Sequence, residues 1–321
     1  MRRLLISLAV LLVLGAATVA GALWWFERAI VAPGPLAADH QLVLPRGQGV
    51  EAIAEELQRA GVIGNKTLFL ALVWEEGAAR RLKAGEYRFA AASSLKATLD
   101  LLVSGRTVVR RLTVPEGLNT AQVVALLNAA EGLQGALPAV PEKGALLRET
   151  WNYSWGDERG PLLDRMRKAM SDYLAEAWAR RDASVPLKTP REALVLASIV
   201  EKETGVAAER PLVATVFVNR LRRNMRLQSD PTVACGVSPV VPLDRPLTRA
   251  DLERDTPWNT YRIDGLPATP IPNPGRAAID AVLHPARADY LYFVADGSGG
   301  HAFARTLAEH NANVAKWRAR Q

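Results

Sequence analysis

From Leu4 to Phe26 the chain runs for 23 residues without a charge. As a helix such a run spans roughly 34 Å, against about 30 Å of bilayer hydrocarbon. A segment this apolar must end in lipid or be removed. Arg2 and Arg3 precede it, and Trp24, Trp25 and Phe26 close it. This pattern sets the N-terminus inside, the rings in the far headgroup layer and the rest of the chain outside. The rival reading is a cleaved signal peptide with Ala20-Gly21-Ala22 as its small-residue site. An h-region has only ~7–15 apolar residues, and this run continues through tryptophans beyond that site, which favours a retained anchor. Both readings export the body.

The body is long enough for real cores: 321 residues, 49% hydrophobic and 23% charged, which excludes a disordered tail. The net charge of +7 comes from basic residues scattered along the chain. Without Arg2 and Arg3 the exported part keeps +5, suited to envelope polymers and anionic lipid and not to nucleic acid. Cys235 is the single cysteine, so an intrachain disulfide and a multi-thiolate zinc site are excluded. The four histidines, His40, His284, His301 and His310, lack ligand spacing, and no metal or cofactor is expected. There is no P-loop, no G-x-S-x-G elbow around Ser198 and no G-x-G-x-x-G, which removes NTPase, serine hydrolase and dehydrogenase chemistry.

The fold class expected is α+β. After a Pro- and Ala-rich linker, Gln41 to Leu44 and Gly85 to Phe89 read as strands. Helices are expected at Val50 to about Gly61, Thr67 to Glu75 and Leu95 to Val103. Val108 to Val114 alternates as a strand, Asn119 to Ala129 is helical, and a polar region with Pro and Gly follows. Thr189-Pro-Arg-Glu192 has the form of a capping box with proline at the first helical position, starting a helix that runs to about Thr204. Ala193 to Val200 is apolar on nearly every side except Ser198, as in a helix buried all round. A second helix is expected from Arg210 to about Met225, its terminal arginines suiting the helix dipole. Gln228 to Thr232 is a turn signal, and Tyr290 to Val294 alternates like a buried strand.

Glu201 falls in the last turn of the buried helix, where partial negative charge and desolvation both favour the protonated carboxyl. It is the leading candidate for a general acid, with a proton affinity above the ~4.3 of a free Glu. Glu203 is the alternative. Two positions on a helix separate side chains by roughly 200°, so only one of them can face a given cleft. Taken alone, a Glu-Lys-Glu stretch is also an ordinary wet helix end, and Gln228 to Thr232 and Asn259 to Tyr261 are also ordinary loop formers.

Ala197-Ser-Ile-Val-Glu-Lys-Glu-Thr204, Leu227-Gln-Ser-Asp-Pro-Thr-Val233, Asn259-Thr-Tyr261 and Asn273-Pro-Gly275 together resemble one family, the endolytic murein transglycosylases or YceG-like proteins. The resemblance extends in order through Asn219-Arg-Leu221, Gly265-Leu-Pro267, Tyr290 to Val294, Gly300-His-Ala-Phe303 and Glu309-His310. It departs at Gly144-Ala-Leu-Leu-Arg-Glu-Thr-Trp151, where the family usually has Gly-aromatic-Leu-Phe-Pro-Asp-Thr-Tyr, and at Cys235 in place of tyrosine.

The resemblance implies a cytoplasmic N-terminus over 1–3, a transmembrane helix over 4–26, a linker over 27–40, a small LysM-like α/β module over 41–106 and a larger mixed α+β catalytic domain over 107–321. It implies a lytic transglycosylase in the cytoplasmic (inner) membrane, cutting the β-1,4 bond between N-acetylmuramic acid and N-acetylglucosamine to leave 1,6-anhydro ends and to terminate nascent strands. Peptidoglycan strands, the bilayer and peptidoglycan synthases are the implied partners, with no nucleic acid and no cofactor. Glu201 would serve as acid and then base. Asn219, Gln228, Asp230 and Tyr261 would hold the sugar or stabilise an oxocarbenium-like state. Two other classes stay open: a noncatalytic, membrane-tethered glycan-binding scaffold, and a muramidase using Glu201 and Asp230, which would need them about 5–9.5 Å apart.

Overall fold

The computed structural model describes residues 2–137 and 139–320. Met1, assigned to the cytoplasmic N-terminus, and Pro138 and Gln321, within the stretch 107–321, lie outside the described residues. Helix α1 (Arg2–Val31) is unbroken. Among the described residues it is the one helix long and apolar enough to cross a membrane, and Leu8, Leu12, Val19 and Trp25 are exposed along it. It continues past Phe26, so the linker expected over 27–40 starts only after Val31. The extra turn is held by the Arg28 guanidinium over the Trp24 ring at 5.2 Å and by burial of Ile30.

The chain divides into two units, Met1–Arg110 with Asn152–Asp157, and Arg111–Trp151 with Glu158–Gln321. In the first, β1 (His40–Leu44), α2 (Val50–Arg59), α3 (Lys66–Glu75), β2 (Gly85–Phe89) and α4 (Leu95–Ser104) follow α1. β1 and β2 pair antiparallel, from His40 opposite Phe89 to Leu44 opposite Gly85. Leu57, Phe69, Leu72, Tyr87, Phe89, Leu99 and Leu102 fill the core, and Ile30 joins them. The ends are fixed locally. Asn65 accepts from Thr67 N and Leu68 N to cap α3, Ser94 caps α4, and Gly105 in the left-handed region closes α4. Glu86 is buried on β2, and its fork with Arg110 (2.6 and 2.8 Å) holds its carboxyl below the usual range.

The second unit is also mixed α+β. Its elements are β3 (Arg110–Thr113) and β4 (Thr150–Tyr153), which both cross the division; the helices α5 (Thr120–Ala129), α6 (Arg159–Ala179), α7 (Pro190–Glu203), α8 (Arg210–Arg222), α9 (Asp230–Val237), α10 (Arg249–Glu253) and α11 (Arg276–Leu283); the hairpin β5 (Tyr292–Ala295) and β6 (His301–Ala304); and α12 (Leu307–Arg318). α7 is the centre: every residue from Ala193 to Glu201 is buried, against α6, α8, α9 and α11. Its start follows the sequence, with Thr189 Oγ1 accepting from Glu192 N, but the box is half-formed because the Glu192 carboxylate accepts from Lys188 N. Ser198, the polar residue inside the apolar run, donates to Val195 O and accepts from Ile271 N at 3.0 Å, tying the 271–275 segment to the core helix.

Several expectations differ from the structure. The polar region with Pro and Gly that follows α5 contains the 21-residue α6, whose Leu162, Met166, Met170, Tyr173 and Ala177 make a buried stripe at helical spacing. Gln228 to Thr232 is less a turn than the start of α9, with Ser229 at the N-cap and Pro231 in the first turn. α8 stops at Arg222, and Arg220 points into the protein instead of decorating a helix end.

Candidate active site

Glu203 is the last residue of α7, and its carboxylate accepts a short hydrogen bond from the Ser229 hydroxyl at the N-cap of α9. Burial pushes its carboxyl up to about 7, against an ordinary 4.5; the Ser229 bond opposes this and the nearby Asp230 charge adds to it. Three of the four sequence-predicted sugar-binding residues lie around this group. Tyr261 donates its hydroxyl to Asp230 Oδ1 at 2.7 Å, and burial with that bond pushes the phenol up. Gln228 accepts from Arg220 Nη1 through Oε1, and its N–H donates to Thr260 O. Gln228 sits at φ +50°, a left-handed conformation uncommon outside glycine. That conformation brings Ser229 N onto Thr260 Oγ1 at 2.9 Å, and Thr260 Oγ1 is also 2.8 Å from Thr232 Oγ1. The buried threonines thus fix the loop that presents Ser229, Asp230 and Tyr261.

Asn219 lies among other partners. It is 9% exposed, donates to Ala288 O and Tyr290 O at 2.9 and 3.0 Å, and accepts from Arg222. Both ends of its amide are spent on holding the chain entering β5. Its neighbour Arg220, which sequence reasoning passed over, donates to Leu291 O (2.7 Å) and Leu227 O (2.9 Å) and is electrostatically coupled to Glu203. Its signal was its position: Val213, Phe217 and Arg220 continue one stripe of α8, so the arginine occupies an inward-facing place.

Glu201 belongs to a different cluster. Its side chain is fully buried, with Arg148 Nε 2.8 Å from Oε1 and Gly275 N donating to Oε2 at 3.2 Å. Arg148 also pairs with Glu116 at 2.9 Å, and Glu116 lies 3.5 Å from Arg210. Burial raises the Glu201 carboxyl, while Arg148 and the Gly275 N–H pull it back. The guanidinium packs on the 275 backbone: a Cβ on Gly275 would fall 2.5 Å from Arg148 Nε. Arg148 lies in the stretch where the sequence departs from the family pattern.

His301 on β6 is held by Glu209, with Nδ1 2.7 Å from Oε2 and its N–H donating to Oε1. Its charge, when present, favours ionised Glu203. Beside Asp230 opens a cavity of about 640 Å³, lined in part by Lys202, Pro231, Cys235 and Ile271. Burial pushes the Cys235 thiol up. No cluster of three or more His, Cys, Asp or Glu suited to a metal ion occurs among the described residues.

Such an arrangement can lend a proton near neutrality from one carboxyl and take it back, with a tyrosine, a second carboxylate and an arginine-anchored loop around it. Comparison with known proteins gives the family. The model of the YceG-like family matches residues 42–316. The "Endolytic murein transglycosylase" of Bacillus subtilis is 31% identical over 306 residues, which cover 85% of this chain and 83% of that protein. Its namesake in Streptococcus pneumoniae D39 is 28% identical over 324 residues, and there the match spans only 57% of the relative's length. A 2.6 Å crystal structure of a YceG-like protein from Listeria monocytogenes superposes with a TM-score of 0.54 at 28% identity, over 85% of this chain and 98% of that one.

Proposed function

Because the chain belongs to the YceG-like family, we propose that it is a membrane-anchored lytic transglycosylase that cuts the β-1,4 bond between N-acetylmuramic acid and N-acetylglucosamine in peptidoglycan, with Glu203 as its acid and base. The observation that carries the reading is the placement of the Glu203 carboxyl, bonded to Ser229 beside the Asp230–Tyr261 pair, where burial pushes it up to about 7. Protonated Glu203 gives its proton to the glycosidic oxygen as the C1–O bond breaks. The muramyl C6 hydroxyl then closes on C1 and returns its proton to the carboxylate. No water is consumed, the product ends in a 1,6-anhydro ring, and the acid is regenerated, so a single carboxyl suffices where hydrolysis needs two.

Glu203 displaces Glu201, the stronger expectation from sequence, because of the company each keeps. Glu201 is paired with a guanidinium and a backbone N–H, both of which favour the carboxylate. Glu203 has the higher proton affinity and the sugar-binding candidates. Asp230, Tyr261 and Gln228 are assigned to substrate, and Asn219 to holding the fold.

The strand–helix–helix–strand order of the first unit and its antiparallel pairing support a LysM-like glycan-binding module over 41–106, with the catalytic domain over 107–321. Arg2 and Arg3 before the apolar run support insertion in the cytoplasmic membrane with the N-terminus inside. The tether favours nascent strands close to peptidoglycan synthases, with cleavage there ending elongation.

The test is mass spectrometry of purified glycan strands digested by the full-length protein and by its Glu203→Gln and Glu201→Gln variants. Anhydro ends lost in Glu203→Gln are the expected result. Reducing ends would replace this reading by a two-carboxylate muramidase. No products from folded, glycan-binding protein would leave a scaffold.

A further inference from the structure

The cavity beside Asp230 has a chemistry of its own. Its apolar wall includes Pro231, Pro239, Pro242, Pro246, Pro272 and Ile271, and no aromatic ring lines it among the described residues. Sugar subsites ordinarily offer a flat ring to the apolar face of a pyranose together with many hydrogen-bonding groups. The proline wall offers no ring, and Asn119, Gln122 and Ser238 in the lining bond to neighbouring backbone; the prolines suit the methyl and methylene groups of a peptide. The cavity holds about 640 Å³, within the range for a bound segment of several residues. Its cations differ. Arg245 is committed to Asp251 at 2.6 Å, whereas Lys202 is exposed at the rim and pairs with no carboxylate among the described residues. Its ammonium lies 3.5 Å from where a Cβ on Gly117 would be, over the turn that leads into α5. Lys202 stands between Glu201 and Glu203 in sequence, and Asp230, bonded to Tyr261 beside Glu203, is itself part of the cavity wall.

We infer that this cavity is the subsite for the peptide stem carried by the muramic acid being cleaved, with Lys202 receiving a stem carboxylate and the prolines its apolar side chains. The inference rests on the peptidoglycan-cleaving function proposed above. The lactyl group joins the stem to the same sugar whose C1 is attacked, so a stem site must adjoin the acid, and this cavity adjoins it. The free ammonium sets the selection: stems with an ionised carboxylate are preferred over stripped strands and over stems whose carboxylates are amidated.

The experiment compares turnover by full-length protein in detergent on stem-bearing strands and on the same strands stripped of their stems by an amidase. The expected ratio is about tenfold in favour of stems, falling toward one in Lys202→Met and in Ala234→Phe, which fills the cavity, and retained in Lys202→Arg. Binding of a soluble disaccharide-peptide monomer, against its peptide-free disaccharide, is measured on Glu203→Gln by NMR titration. That second readout needs no catalysis, so it decides the stem site even if no strand is cut and the cleavage reading fails. Equal turnover on both substrates, equal binding of both monomers, or a ratio unchanged in both Lys202→Met and Ala234→Phe would overturn the inference.

Discussion

Glu201 and Glu203 illustrate what a helix end does to two carboxyls. Their roughly 200° separation gives each its own side of α7, and tertiary partners decide the rest: Arg148 and Gly275 on one side, Ser229 and its loop on the other. Glu203→Gln is expected to lower anhydro-product formation by about 10²–10⁴-fold, the usual worth of a general acid, without loss of folded protein. Glu201→Gln strands Arg148 in a buried place with only Glu116 for compensation, and should cost about 3 kcal/mol of stability in urea melts while the folded fraction still cuts. If the two variants exchanged these outcomes, Glu201 would be the acid. The pH profile follows from the same shift. Native Glu203 holds its proton to about 7, while the unfolded chain releases it near 4.5, so within that window the native state binds more protons and stability falls as pH rises. Activity that depends on the protonated form declines through the same upper limit. Melts across this window should show a shallower fall in Glu203→Gln, and kcat/KM for wild type should fall on its alkaline side near neutrality and not near 4.5.

At the scale of elements, what was legible in the sequence was what local chemistry dictates. Thr189 and Pro190 announced α7, Asn119 announced α5, and the apolar run from Ala193 announced a helix buried all round. Ser-Asp-Pro-Thr was ambiguous because the same residues that favour a turn also open a helix, and only the contacts of Ser229 N and Thr232 with Thr260 select the helix. α6 was hidden by its charged outer face, and the pairing of Glu203 with a serine 26 positions away leaves no trace in local spacing. The same holds for Ser198, whose hydroxyl bridges α7 to Ile271. Ser198→Ala removes the hydroxyl without adding bulk and leaves Ile271 N buried without an acceptor, at an expected cost of about 1–3 kcal/mol. Because the 271–275 segment carries Asn273 and Gly275 toward Thr120 and Glu201, the same variant should loosen amide protection there. Hydrogen exchange unchanged over 271–275 would argue that this bridge is incidental.

For the whole molecule, the decisive feature is that α1 does not end where its apolar run ends. It continues to Val31 and puts Ile30, 5% exposed, into the core formed by α3, α4 and the β1–β2 pair, with Phe26 packed at its edge. The apolar helix is therefore part of the first unit's core and not a segment joined by slack chain. A soluble version that starts at Pro33 removes the membrane span and also empties the Ile30 position, whereas one that starts at Glu27 keeps it. Burying an isoleucine side chain is worth about 1.5–3 kcal/mol, so the shorter version should unfold at lower urea in the transition that reports the first unit. A probe in the second unit, such as the Trp258 fluorescence, should report the same midpoint in both. Equal first-unit midpoints would mean that the last turn of α1 only rests on this core, and that the chain can be cut at Pro33 without cost. Unequal ones would mean that lipid insertion and folding of the first unit are coupled through Ile30, so that an apolar-to-charged change there, such as Ile30→Lys, lowers stability in membrane and in solution alike.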